Sequence, residues 1–229
     1  MTHPIFILSL GMIAPPNDKA LIAALQRLTD ENVMAHKEEL LRLCQKFNQY
    51  GDEGMTEEDF KKDFQKALKI SDENMERFED AWNQHIDLVQ MKKNIEHLIK
   101  SDPENRIIPY VIISNTNPIH MRYLTKKMAK AFETLLMDES DIFTSYQHKS
   151  PIRAALQTIE ADHCWDDIIV FVADNSNVTI PERLAALNQK KAEITAIAEE
   201  YGARVFELTG TLAETDLEAC LRPKSPKPR

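Results

Sequence analysis

The sequence predicts an α/β protein, a Rossmann-like parallel sheet core with an inserted α-helical cap domain, and three observations carry that expectation. Five short apolar runs, at residues 5–10, 107–113, 142–146, 168–172 and 204–208, have helical stretches between the later ones, the alternation that builds a parallel sheet. The runs VIIS and IIVFV are apolar throughout instead of alternating, as strands covered by helices on both faces must be. Between the first and second runs lie roughly ninety residues of helical pattern, too long for an ordinary crossover and therefore read as an insertion. A chain of 229 residues suits one core with one insertion. The expected organisation is a core of residues 1–16 plus 103–215, a helical cap at 17–102 and a flexible tail at 216–229.

The first run, up to Ile13, reads as a buried strand rather than a signal segment, because no Lys or Arg precedes it and it is far too short to span a bilayer. In the insertion, Thr56 precedes Glu57, Glu58 and Asp59 as a helix N-cap with an acid at the third position, and Phe60, Phe64 and Leu68 follow every four residues. Ser71 opens a second helical stretch with Met75, Phe78 and Trp82 on one face, and Gly51 and Gly54 mark the break ahead of Thr56. Such aromatic stripes at helical spacing form a bundle core. No internal repeat or low-complexity tract interrupts the pattern.

The charge balance narrows the function. With 28 Lys+Arg against 37 Asp+Glu, the net charge of -9 repels nucleic acid and anionic membrane surfaces alike. The basic tail from Arg222 to Arg229 holds three prolines and no apolar face, the composition of a disordered end. Cys44, Cys164 and Cys220 are few and scattered, which fits a reducing compartment and a cytoplasmic location, with secretion into a host cell left open.

Ligands of an open α/β sheet bind beyond the carboxyl ends of its strands, so the residues there carry the functional reading. The second run ends in Ser114-Asn115-Thr116-Asn117 before Pro118 and a helix beginning near His120, a concentration of donors suited to an anion. The third is followed by His148-Lys149-Ser150-Pro151, where Lys149 can neutralise a phosphoryl oxygen. The fourth runs into Asp174 and Asn175, and a carboxylate at a buried strand's end calls for a cation such as Mg²⁺.

In order and spacing these endings resemble the haloacid-dehalogenase-like (HAD) hydrolase superfamily of the helical-cap phosphatase type. VIISNTNPIH, residues 111–120, looks like the second motif, HKSP the third and VADNSN, residues 172–177, the fourth; the cap segment GMTEEDF and Trp82 are also similar. The resemblance implies phosphate binding by Ser114 and Asn115, Lys149 as the motif lysine, and Mg²⁺ held by Asp174, Asn175 and the backbone of Gly11. It also implies a nucleophilic aspartate at the end of the first strand, and here the strand reads IFILSLGMI, without a carboxylate. Two registers exist: Ile7 and Ser9 at the two acid positions, or Ser9 at the nucleophile and Gly11 two residues on, the second being preferred.

Serine is a neutral hydroxyl that needs a base to attack, is a poor Mg²⁺ ligand and forms a slowly hydrolysed phosphate ester. The leading expectation is thus a degenerate HAD-like phosphatase homologue that binds a phosphorylated small molecule or a protein partner without normal turnover, with Mg²⁺ binding weakened. The alternatives are an active hydrolase using Ser9, for which His120 and His148 are the histidines near the strand ends, and a scaffold that engages a protein through its cap.

Overall fold

The computed structural model describes residues 4–100, 109–134, 139–162, 165, 167–173, 181–208, 211–217 and 220. Five parallel strands, β1 (Pro4–Ser9), β2 (Tyr110–Ser114), β3 (Ile142–Thr144), β4 (Asp167–Ala173) and β5 (Arg204–Leu208), form one sheet in the order β3-β2-β1-β4-β5. The chain moves outward from β1 to β2 and β3, then crosses back to β4 on the other side of β1. Such a switch in direction opens a crevice above the central strand ends. The expected runs and the strands agree to within a few residues. The stretch 107–108 lies outside the described residues, and β3 stops at Thr144 because the amides of Gln147 and His148 turn back onto its carbonyl at 3.2 and 2.9 Å.

The continuous apolar runs are explained by helices on both faces. Phe6, Leu8, Tyr110, Ile112, Ile169 and Phe171 face one layer, while Ile5, Ile7, Val111, Ile113 and Val170 alternate to the other. The first layer is covered by α1 (Leu10–Ile13), α7 (Leu88–Lys100) and α8 (Pro118–Thr134); the second by α9 (Pro151–Asp162) and α10 (Pro181–Glu200). Pro118, Pro151 and Pro181 each stand first in a helix, where the missing N–H costs nothing.

The insertion has its own core. In α2 (Asp18–Gln26), α3 (Lys37–Phe47), α4 (Glu57–Leu68), α5 (Asp72–Met75) and α6 (Phe78–Asn83), apolar faces meet around Phe60, whose ring stacks on Phe47 at 4.1 Å. Thr56 and Ser71 cap α4 and α5 by accepting from the amides of Asp59 and Asn74. The stretch after Ser71 forms two short helices instead of one, since Arg77 N–H closes onto Asn74 O at 3.1 Å and breaks the run. The expected cap span 17–102 also includes α7, whose Met91, Ile95 and Leu98 are buried with the sheet and not with the cap.

Two linkers join the layers side by side. Pro16 bridges Ile86 in antiparallel fashion, Asn17 N–H donates to His85 O and Asp87 N–H to Pro15 O. On α7, buried Asn94 donates to the Met12 and Ile13 carbonyls at 2.8 and 3.1 Å and accepts from Ala213 N–H at 3.2 Å. This fixes α1 directly after Ser9. No helix among the described residues is long and apolar enough to cross a membrane.

Candidate functional site

A cavity of about 460 Å³ opens above the C-terminal strand ends, and it is lined by Ser9, Gly11, Ser114, Asn115 and Lys149 together. Residues from three separate chain segments thus reach one space, as strand ends at a switch point should. Asp174 and Asn175 lie outside the described residues; Ala173, the last residue of β4, lines the cavity.

Each wall has a local cause. Ser9 ends β1 and precedes α1, and its side chain makes no capping bond, leaving the hydroxyl uncommitted to that helix. Gly11 is exposed, and among the described residues a Cβ built on it would meet only Ser9 Oγ, at 3.8 Å. Ile7, the other candidate for the nucleophile position, is fully buried in the layer of α9 and α10. Ser114 closes β2, its carbonyl accepting from Ser145 N–H at 2.8 Å, which holds the β3 turn beside it. That turn carries Lys149 out to the rim as an exposed side chain. Next to it, Ser150 also lines the cavity, and its buried hydroxyl has no partner among the described residues.

The two histidines named from the sequence have different surroundings. His148 packs its ring against Phe143 at 5.4 Å. His120 is buried between the rings of Trp82 and His85, at 5.2 and 5.5 Å. Its Nε2 faces the Trp82 carbonyl at 3.3 Å and its Nδ1 faces Asn117 Nδ2 at 3.4 Å, so one nitrogen donates and the other accepts. Burial, with His85 nearby, pushes its pKa down to about 3. A neutral ring with both nitrogens in use holds the cap on the sheet layer and is a poor candidate base.

Sequence reasoning missed three residues at the cavity. His85 lines it from the second linker, with Nε2 at 3.0 Å from Asp18 Oδ1. The pair is 67 residues apart and meets only because the linkers run side by side. Lys190 of α10 also lines the space, and Lys191 beside it pairs with Glu207. Among the described residues, no cluster of three or more His, Cys, Asp or Glu side chains is arranged around a metal position. The donors that Ser9 and Gly11 offer are a hydroxyl and a carbonyl, so β1 and α1 supply no carboxylate to a hard divalent cation.

A second, more open cavity of about 610 Å³ lies between the cap turn at Tyr50, Gly51 and Asp52 and the core residues Asn115, Ser145 and Lys149. Gly51 makes that turn at φ 62°, a left-handed conformation that glycine adopts without a Cβ penalty. Lys149 therefore faces both the strand-end cavity and the cap turn.

No family model matches the sequence, and no curated protein does. Solved structures do match the fold. The chain is similar to the HAD family enzyme BT-2542 of Bacteroides thetaiotaomicron in complex with magnesium and inorganic phosphate, at 16% identity and a TM-score of 0.55, covering 97% of this chain and 100% of that one. The magnesium complex of that enzyme matches at 15% identity and 0.55 over the same shares of both chains. A variant with one aspartate changed to alanine, also holding magnesium and phosphate, matches at 15% and 0.56 over those shares. At such identities the likeness is one of architecture: this chain has an α/β fold like that of the HAD family enzyme BT-2542.

Proposed function

We propose that the protein is a degenerate HAD-like phosphatase homologue that binds a phosphate-bearing ligand, a phosphorylated small molecule or protein segment, without ordinary phosphohydrolase turnover. One observation carries this reading: the cavity has hydroxyl, amide and ammonium groups from Ser9, Ser114, Asn115 and Lys149, and its β1 wall offers no carboxylate. Binding an oxyanion needs donors and cations, which are there; attack on phosphorus needs an anionic or base-activated nucleophile. In this reading Ser114 and Asn115 hold phosphoryl oxygens and Lys149 balances their charge. Magnesium belongs to it as a weakly held ion, since structural neighbours are magnesium complexes while Asp174 and Asn175, with the Gly11 carbonyl, are the ligands left to it here.

The test is an aryl phosphate assay with Mg²⁺ beside calorimetry with inorganic phosphate. The expected result is binding of phosphate that Lys149→Ala weakens, with turnover near background. Phosphate release at the rate of an ordinary phosphatase, abolished by Lys149→Ala, overturns the reading.

A second reading is favoured by the His85–Asp18 pair. With Nε2–H donating to Asp18, His85 has Nδ1 without a hydrogen-bond partner among the described residues, and it borders the cavity that Ser9 lines. Ser9 Oγ then attacks phosphorus as the ester P–O bond breaks, and His85 takes the Ser9 proton and passes it to the leaving oxygen. A screen of phosphate esters decides it: activity lost equally in Ser9→Ala and His85→Ala supports the dyad, and activity unchanged in either removes it.

A further inference from the structure

We propose that Lys190 is a second ammonium of this phosphate site and that, with Lys149, it lets the cavity hold a phosphoryl dianion without a divalent cation. The inference rests on the phosphate-binding reading above and adds to it a residue from a helix that no motif marked.

The topology brings Lys190 there. β4 runs toward the cavity and the chain returns along α10, so the N-terminal end of α10 lies at the level of the strand ends. Helical side chains lean toward the N-terminus of their helix, and a lysine stem is long enough to carry its charge along that direction. Lys190 accordingly lines the same cavity as Ser9 and Lys149.

Its pairing sets it apart from its neighbour. Lys191 is joined to Glu207 in an ion pair. Among the described residues, no hydrogen bond or ion pair joins Lys190, although it is half-buried. A partly desolvated cation without a partner is costly, and burial draws its pKa down while the field of Glu193 draws it up. A dianion in the cavity supplies the missing partner.

The charge of the lining agrees. In a chain of net charge -9, the described wall of this cavity carries three lysines and one glutamate. A concave site of one sign concentrates ligands of the other. The end of β1 adds no carboxylate to that wall, and among the described residues only Lys191 of the three lysines has an ion-pair partner, Glu207, so Lys149 and Lys190 are left to the ligand.

Calorimetric titration with inorganic phosphate, in EDTA and then with Mg²⁺, tests this on the full chain and on Lys149→Gln, Lys190→Gln and Lys190→Arg, with circular dichroism to verify folding. The wild type is expected to bind in EDTA, Lys190→Gln to bind about tenfold more weakly and Lys190→Arg to retain affinity. If Lys149→Gln weakens binding and Lys190→Gln does not, the role of Lys190 falls while the phosphate site stands. Binding that requires Mg²⁺, or Lys190→Arg losing as much as Lys190→Gln, also overturns the inference. Absence of phosphate binding by the wild type in both conditions removes the phosphate site and the inference together.

Discussion

Arg122 on α8 grips the carboxylate of Glu57 at the start of α4 with both guanidinium nitrogens, at 2.6 and 2.9 Å, tying the sheet layer to the cap. Lys61 joins from the cap side, 2.7 Å from Glu57 and 2.5 Å from Glu79. Next to this cluster on α8, Ile119 is buried in the cap's own core. The cap is therefore docked through apolar and ionic contacts at once, and its position over the strand ends is set by α8.

Arg122→Ala should cost about 1 kcal/mol of stability at most, because the arginine is half exposed and its pairs are screened by water. Hydrogen bonding from Arg122 holds the Glu57 pKa down to about 2, against 4.5 for an unperturbed group. A depressed carboxylate stabilises the fold above its unfolded pKa and loses that contribution as pH falls toward the folded one. The difference in melting temperature between wild type and variant is thus expected to be full above 4.5 and to shrink toward about 2. Equal differences across that window would show that Glu57 has no charged partner in Arg122.

His120 gives a pH dependence in a higher window. Its folded pKa, about 3, lies below the ordinary 6.5, so the fold favours the neutral ring. Its stabilising contribution is complete above 6.5 and is lost as pH falls through that value toward about 3, where the unfolded state binds the extra proton. Urea midpoints measured across the window should fall more steeply for the wild type than for His120→Gln, which has no ring to protonate. Parallel curves would refute the assignment of a buried neutral imidazole.

The sequence made legible what depends on local pattern. Runs such as VIIS and IIVFV could only be strands covered on both faces, and Thr56 and Ser71 could be read as caps because their partners lie three residues on. That Ser9, Ser114 and Lys149 line one cavity was legible because a parallel sheet places strand ends together. What depends on pairing at long range was hidden. The apolar face of α7 would look the same against the cap as against the sheet, and only packing assigns Met91 and Leu98 to the latter. His85 and Asp18 meet through the linkers, and Lys190 is one lysine among several charged positions of its helix.

Phe60 is the centre of the cap core, in ring contact with Phe47, Phe64, Phe78 and Trp82 and fully buried. Phe60→Ala should destabilise by roughly 3–5 kcal/mol, the range for removing a buried aromatic ring from a tightly packed site. Chemical denaturation checks this, and hydrogen exchange locates it: protection should fall in α3, α4 and α6 while β1 and β4 keep theirs. A uniform loss would mean that cap and sheet unfold as one unit.

Ser9→Asp tests the proposal that Ser9 stands at the nucleophile position. The hydroxyl gives way to an anionic oxygen that can both ligate Mg²⁺ and attack phosphorus, so Mg²⁺ affinity should rise by about tenfold or more and aryl phosphate turnover should become measurable. Gly11→Asp adds the second acid two residues on. Among the described residues space permits it, because a Cβ at that position would meet Ser9 Oγ at 3.8 Å, an ordinary van der Waals contact. If Ser9 stands at the nucleophile position, the double variant should turn over faster than Ser9→Asp alone, with the new acid protonating the leaving oxygen. If the true register puts Ile7 there, Ser9→Asp creates only a general acid and no phosphate is released. Titration with Mg²⁺ separates the cases from a failure to fold: a folded Ser9→Asp protein with unchanged Mg²⁺ affinity shows that Ser9 does not face the cation position at all.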